Sequence, residues 1–433
     1  MWTRGRRSQP SHRSDRELPT STSSQSPAVL SLITYARAVG PGVMAGLADN
    51  DPAGVATYAI AGAVAGYRQL WLIVLATFMV QAVQVTSARL GTVTQQGVLP
   101  VVRRRYGWMI AAVAAVVGII ANEATLIADV AALGASLELL TGISWRWFIL
   151  PSTALLLVIT VFASFRWLRN IFLVVGLLLL TYVVTAFLVH PDWNEVLRAT
   201  FSPSLPRSAA ESEAAVALLG TTVSPYLLFW EAEGEREAHR TRRQFGLAEI
   251  DITVGYIGSN VVSYFIVVTT AATLYAHHET ILTAADAANA LRPLAGDLAH
   301  TVFAVGLLGA GLLAVPMFAI SIGYIFAETF DWPSGLSKTL AEAPCFYGVL
   351  AIALLSGGLG AVLGLDPIVA LFASQILDGL LMPVLIAILA LLVNDERVMG
   401  ADRSTLYYNA WLVIAFVVMT GAGILLIGSM LQS

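Results

Sequence analysis

Apolar runs of roughly 20 residues, the length a helix needs to cross about 30 Å of hydrocarbon, recur along nearly the whole of this 433-residue chain. Backbone groups in lipid have no water to bond, so runs of this kind fold as helices rather than strands. The chain is therefore predicted to be an all-α integral membrane protein. Charged residues make up 12% of it, against about 25% in soluble domains. Cys345 is the single cysteine, which excludes an intramolecular disulfide framework and a cysteine metal cluster.

About eleven membrane segments are predicted, at approximately 32–66, 69–91, 108–140, 146–165, 168–190, 213–238, 248–277, 298–329, 345–363, 367–393 and 407–430. Before them, residues 1–28 are rich in Arg, Ser and Pro and carry no apolar periodicity, so they read as a disordered cytosolic tail without a signal peptide. Residues 29–433 form one transmembrane domain. An odd number of crossings puts the termini on opposite sides. With the N terminus inside, the cytosolic side holds 17 Lys and Arg, Arg103, Arg104 and Arg105 among them, and the other side holds 5. That asymmetry predicts a cytosolic N terminus and an outside C terminus in the cytoplasmic membrane.

Carboxylates inside such segments are costly and are expected to face a ligand, a partner or water. Asp49, Asp51, Glu123, Asp129, Glu231, Glu233 and Asp378 qualify. For a lone one such as Asp378, a satisfied neighbour explains it as well as a function does. The stretch GLADNDPAGVATY, residues 46–58, differs in its company. Pro52 lacks an amide hydrogen and Gly54 tolerates almost any backbone angle, so a helix break is expected over Asp51–Gly54. There, freed carbonyls and the Asp51 carboxylate would face a cation. A second break is expected in GTTVSPYLLFWEAEGE, residues 220–235, at Pro225. Breaks in the first and sixth helices are the arrangement of inverted five-helix repeats, with the substrate at the midplane. The repeats are placed at about 32–190 and 213–393, with an extra helix at about 407–430.

These residues carry a resemblance to the Nramp family of divalent-metal transporters, whose fold is of the LeuT/APC-like kind. DPAGVATYAIAGAVAGYRQLW is similar, without gaps, to the family's DPGN, AT and AGAxxGYxLLW pattern, and GTTVSPYLL resembles its ATVMPHN. Ser374, Gln375, Pro383 and NDERVMG at 394–400 extend the likeness over about 38–430. The departures are specific. Asp51 keeps the family's metal-binding aspartate, but Gly54 replaces its asparagine and Ala53 its glycine. Ser224 stands for the metal-binding methionine, and Tyr226 and Leu227 for the histidine and asparagine that follow. Asp129 matches the aspartate on the proton path, while Ala132 replaces the glutamate three residues on. Asn122 occupies a further acidic position, with Glu123 one place along, and the polar patch of the eighth helix reads Leu312, Leu313, Ala314 and Val315.

The resemblance implies a transporter and not an enzyme; no HExxH, GxSxG or Cys/His pairing argues otherwise. The expected metal ligands are Asp51, Ser224, carbonyls near Ala48 and Thr221, the region of Gly54, Asp49 and Gln375. Asp129, Glu123, Glu231 and Glu233 are assigned to a proton or exit path. Losing a thioether leaves an all-oxygen set suited to a hard ion, Mg²⁺ before Mn²⁺. Tyr226 cannot titrate near neutral pH as histidine does, so proton coupling is expected to be weak or absent. A proton-coupled Mn²⁺/Fe²⁺ importer is the nearest alternative. A cation-coupled amino-acid symporter is more distant, because Asp49 and Asp51 would repel a substrate carboxylate. Beyond the transported ion and the bilayer, no cofactor, nucleic acid or obligate protein partner is expected.

Overall fold

A computed structural model of the chain describes residues 46, 49–162, 179–239 and 245–432. The tail at 1–28, the start of the first expected segment and most of the first half of the fifth lie outside these residues. Each of the eleven expected segments nevertheless has helix within the described residues.

The helices used below are α1 (Pro52–Ala65), α2 (Leu70–Thr94), α3 (Val98–Tyr106), α4 (Trp108–Thr141), α5 (Arg146–Phe162), α6 (Trp193–Phe201), α7 (Ala209–Thr222), α8 (Pro225–Glu237), α9 (Phe245–Thr273), α10 (Ala299–Phe330), α11 (Pro344–Leu363), α12 (Pro367–Asn394) and α13 (Leu406–Gln432). Among the described residues, eight helical stretches are long and apolar enough to cross a membrane. Large apolar side chains stay exposed along α4, with Met109 78% exposed, and along α13, with Leu406 86% exposed. Such faces need lipid rather than water against them.

Both breaks form, and both place a proline first in the following helix. Pro52 opens α1 after the non-helical residues Asp49–Asp51, and Pro225 opens α8 after Val223 and Ser224. The first break thus lies at 49–51 and not over Asp51–Gly54 as expected. The physical reason is that the first helical position needs no amide hydrogen and suits the fixed φ of proline. Gly54 is helical, and its N–H is capped by the Asp51 carboxylate. Between the segments expected at 69–91 and 108–140 lies a further helix, α3. It is a short amphipathic helix, with Val98, Leu99, Val101 and Val102 buried and Arg103–Arg105 in its last turn.

The two interrupted helices lie at the centre. α1 packs against α7, α9 and α12, α8 lies along α2, and the long pair α4 and α10 pack against each other. Glycines set the closest crossings. A Cβ on Gly220 of α7 would stand 2.1 Å from the Gln375 carbonyl oxygen and 2.4 Å from the Gly379 nitrogen, both backbone atoms of α12. Neither atom can swing aside, so Gly220→Ala must push α7 and α12 apart. We expect it to cost about 1–3 kcal/mol and to lower the thermal midpoint of the detergent-purified protein. Gly428→Ala, whose Cβ would meet nothing within 4 Å, should leave the midpoint in place; equal behaviour of the two variants would discard this account of the crossing.

Candidate functional site

The start of α1 has orphan N–H groups, as every helix does, but here they are buried among other helices and need partners from protein. Two carboxylates supply them. The Gly54 N–H donates to Asp51 Oδ1, and the Ala53 N–H donates to Asp129 Oδ1 on α4 at 3.1 Å. Asp51 and Asp129 are 5% and 0% exposed. Their negative charge also complements the positive end of the helix dipole.

Gly54 has a second role, of space. A Cβ there would lie 2.8 Å from the Asp49 carbonyl oxygen, 3.0 Å from Asp51 Oδ1 and 3.1 Å from Thr221 Oγ1. Three oxygens from the two broken helices therefore surround the position that any larger residue would fill. The freed carbonyl at this point belongs to Asp49; Ala48, expected to supply one, lies outside the described residues.

The other half of the site is a hydrogen-bonded chain between α4, α12 and the second break. Ser224 Oγ donates to Asp378 Oδ2 at 3.2 Å, and Thr125 Oγ1 donates to the same oxygen at 3.4 Å. Gln375 Nε2 donates to Thr125 Oγ1 at 3.4 Å and to Ser374 Oγ at 3.1 Å. Asp51, Asp129 and Asp378 lie near enough to act on one another electrostatically. Among the described residues, no three His, Cys, Asp or Glu side chains converge tightly enough to chelate an ion by themselves. An ion held here would rely on Asp51 with neutral oxygens and water, with the carboxyl groups of Asp129 and Asp378 nearby, a donor set that suits hard cations.

The structure thus brings Asp51, Gly54, Thr221, Ser224 and Gln375 to one region. Asp49 contributes its carbonyl, while its side chain turns to α9, where Ser259 Oγ donates to Oδ2 at 2.9 Å. Glu123 lies elsewhere: it is half-buried and accepts from Ser356 Oγ of α11 at 2.7 Å. Residues 122, 125 and 129 share one face of α4 by helical spacing, and Asn122 on that face donates to Ser321 Oγ of α10 at 2.9 Å. Glu231 and Glu233 sit on α8 roughly 10 Å or more along the axis from Ser224. Glu233 accepts from Arg236 Nε at 2.6 Å. Tyr226 is buried with its ring edge-on to Phe318, centroids 4.7 Å apart.

Asp378 and Thr125 belong to the site although the sequence did not assign them there. One local signal was present, since Ser374, Gln375 and Asp378 are spaced to share a face of α12.

The family described as natural resistance-associated macrophage protein-like (Nramp) matches residues 42–429. A divalent metal cation transporter, MntH, of Verminephrobacter eiseniae is 29% identical over 385 residues, 85% of this chain and 83% of that protein. The crystal structure of a mutant manganese transporter of Eremococcus coleocola is similar in fold, with a TM-score of 0.72 at 19% identity over 95% of this chain and 89% of that one. Mhp1, a nucleobase-cation-symport-1 family transporter, is similar at a TM-score of 0.58 and 16% identity over 91% of this chain and 92% of its own.

Proposed function

The chain belongs to the Nramp family and is an integral membrane transporter rather than an enzyme, and from that premise we propose that it carries divalent metal cations by alternating access. The ion would bind Asp51 with the Asp49 carbonyl, Thr221, Ser224 and water, with Asp378 and Gln375 beside it. Mg²⁺ is the proposed substrate, with Mn²⁺ next. One observation carries this preference: oxygens of Asp49, Asp51 and Thr221 close around Gly54 and a hydroxyl stands at Ser224, the positions that match the family's asparagine and methionine. An all-oxygen set of this kind suits a hard ion such as Mg²⁺.

Transport is proposed to be uncoupled from protons or weakly coupled, because Ala132 is apolar and Tyr226 is packed on Phe318. The proposed setting is the cytoplasmic membrane with the N terminus inside, which the distribution of Lys and Arg supports.

Uptake into proteoliposomes across Mg²⁺, Mn²⁺ and Fe²⁺ tests the preference. Ser224→Met should shift it towards Mn²⁺ by about tenfold, since a thioether favours softer ions and offers nothing to Mg²⁺. Metal-driven acidification of the vesicle lumen should be absent or small. Wild-type Mn²⁺ uptake that excess Mg²⁺ fails to inhibit, or strong acidification, would instead favour the proton-coupled Mn²⁺/Fe²⁺ importer.

A further inference from the structure

Asp49 is 2% exposed, and none of the ion pairs among the described residues involves it. One of its oxygens is bound by Ser259 Oγ. The other, Oδ1, is buried without a hydrogen-bond partner. A buried carboxylate half-satisfied in this way is expensive unless a cation completes it.

The surroundings offer further neutral oxygens. Asn50, 4% exposed, donates from Nδ2 to Ser259 Oγ at 2.9 Å and accepts from Ser263 Oγ at 3.2 Å. Asn260 is 4% exposed, and both its amide oxygen and its amide nitrogen lack partners. Tyr256 is buried with its hydroxyl unpartnered, and Asp49 is the strongest charge acting on it. Residues 256, 259, 260 and 263 are spaced along one face of α9. The Tyr58 hydroxyl lies 2.8 Å from Thr222 Oγ1 and also meets Ser263, at the edge of this group.

We propose that the Asp49 side chain, with Asn50, Ser259, Ser263 and Asn260, forms a second cation site that takes a hard monovalent ion such as Na⁺, distinct from the Asp51 site. The charge decides the class. Asp49 is the one carboxylate among these neutral oxygens and balances a single positive charge, whereas Asp51 has Asp129 and Asp378 within electrostatic reach to help balance a divalent ion. The peptide at Asp49 separates the two sites: its carbonyl faces Gly54 and Thr221, and its carboxylate faces α9. The inference does not depend on which divalent metal is carried.

Binding of radiolabelled Na⁺ to the full-length protein in detergent tests it. We expect saturable binding, displaced by unlabelled Na⁺, that survives Asp51→Asn, which keeps the helix cap, and falls at least about tenfold in Asp49→Asn. The double variant Ser259→Ala/Ser263→Ala removes neutral donors without touching a charge, and should weaken binding even if Asp49→Asn does not fold. Displacement by K⁺ as readily as by Na⁺ would make the site a general alkali-cation site and support it in that form. No saturable binding, binding unchanged in the double variant or in Asp49→Asn, loss of binding in Asp51→Asn, or displacement by Mg²⁺ alone would overturn the proposal.

Discussion

Asp51→Ala is expected to reduce divalent-cation uptake into proteoliposomes to the rate of protein-free vesicles. Its carboxylate oxygen stands with the Asp49 carbonyl and the Thr221 hydroxyl closest around Gly54. Removing it leaves neutral donors that cannot replace the hydration of a divalent ion. The same substitution removes a helix cap, which costs about 1 kcal/mol, so loss of uptake alone does not separate charge from fold. Asp51→Asn does, because asparagine caps a helix as well as aspartate does. Both variants should lose transport, and only the alanine variant should lose stability. Normal uptake by Asp51→Asn would remove Asp51 from the ion site and leave it a structural cap.

Gly54→Ala should lower uptake by about tenfold or more. In the first turn of an ordinary helix, alanine is preferred over glycine by up to about 1 kcal/mol, so propensity predicts a gain in stability. Contact predicts the opposite. The added carbon would stand 2.8 Å from the Asp49 carbonyl oxygen, a backbone atom held in the break. It would also crowd Asp51 Oδ1 and Thr221 Oγ1, at 3.0 and 3.1 Å. A fall in uptake with unchanged or raised thermal stability would place Gly54 in the ion site. Unchanged uptake would mean that the ion lies elsewhere.

Much of this architecture was legible in the sequence, because lipid imposes one rule on every segment: apolar, about 20 residues, helical. Pro52 and Pro225 marked the breaks correctly. The position of the first break was off by a few residues, since proline can either interrupt a helix or begin one, and only the capping of the Gly54 and Ala53 N–H groups decides between them. The inward face of α4 was harder to read. That helix is apolar all round, so periodicity could not choose between Glu123, which meets Ser356, and Asn122, Thr125 and Asp129. Asp378 was recognised as a buried carboxylate, but its partner Ser224 is 154 residues away in sequence. No local pattern announces such a pairing.

The Asp129–Ala53 hydrogen bond has a mechanical consequence. It ties the first turn of α1 to the middle of α4. Sliding one past the other would strand a backbone amide and a carboxylate at once, each costing about 1–3 kcal/mol or more when buried. The first turn of α1 is therefore tethered to α4 at this one point. Just before it, at Asp49–Asp51, rotation about the chain breaks no helical ladder and meets only the side-chain bonds of Asp49 and Asn50 to α9. A pivot there lies among the oxygens proposed to hold the ion, so the ligands and the hinge would be the same few residues.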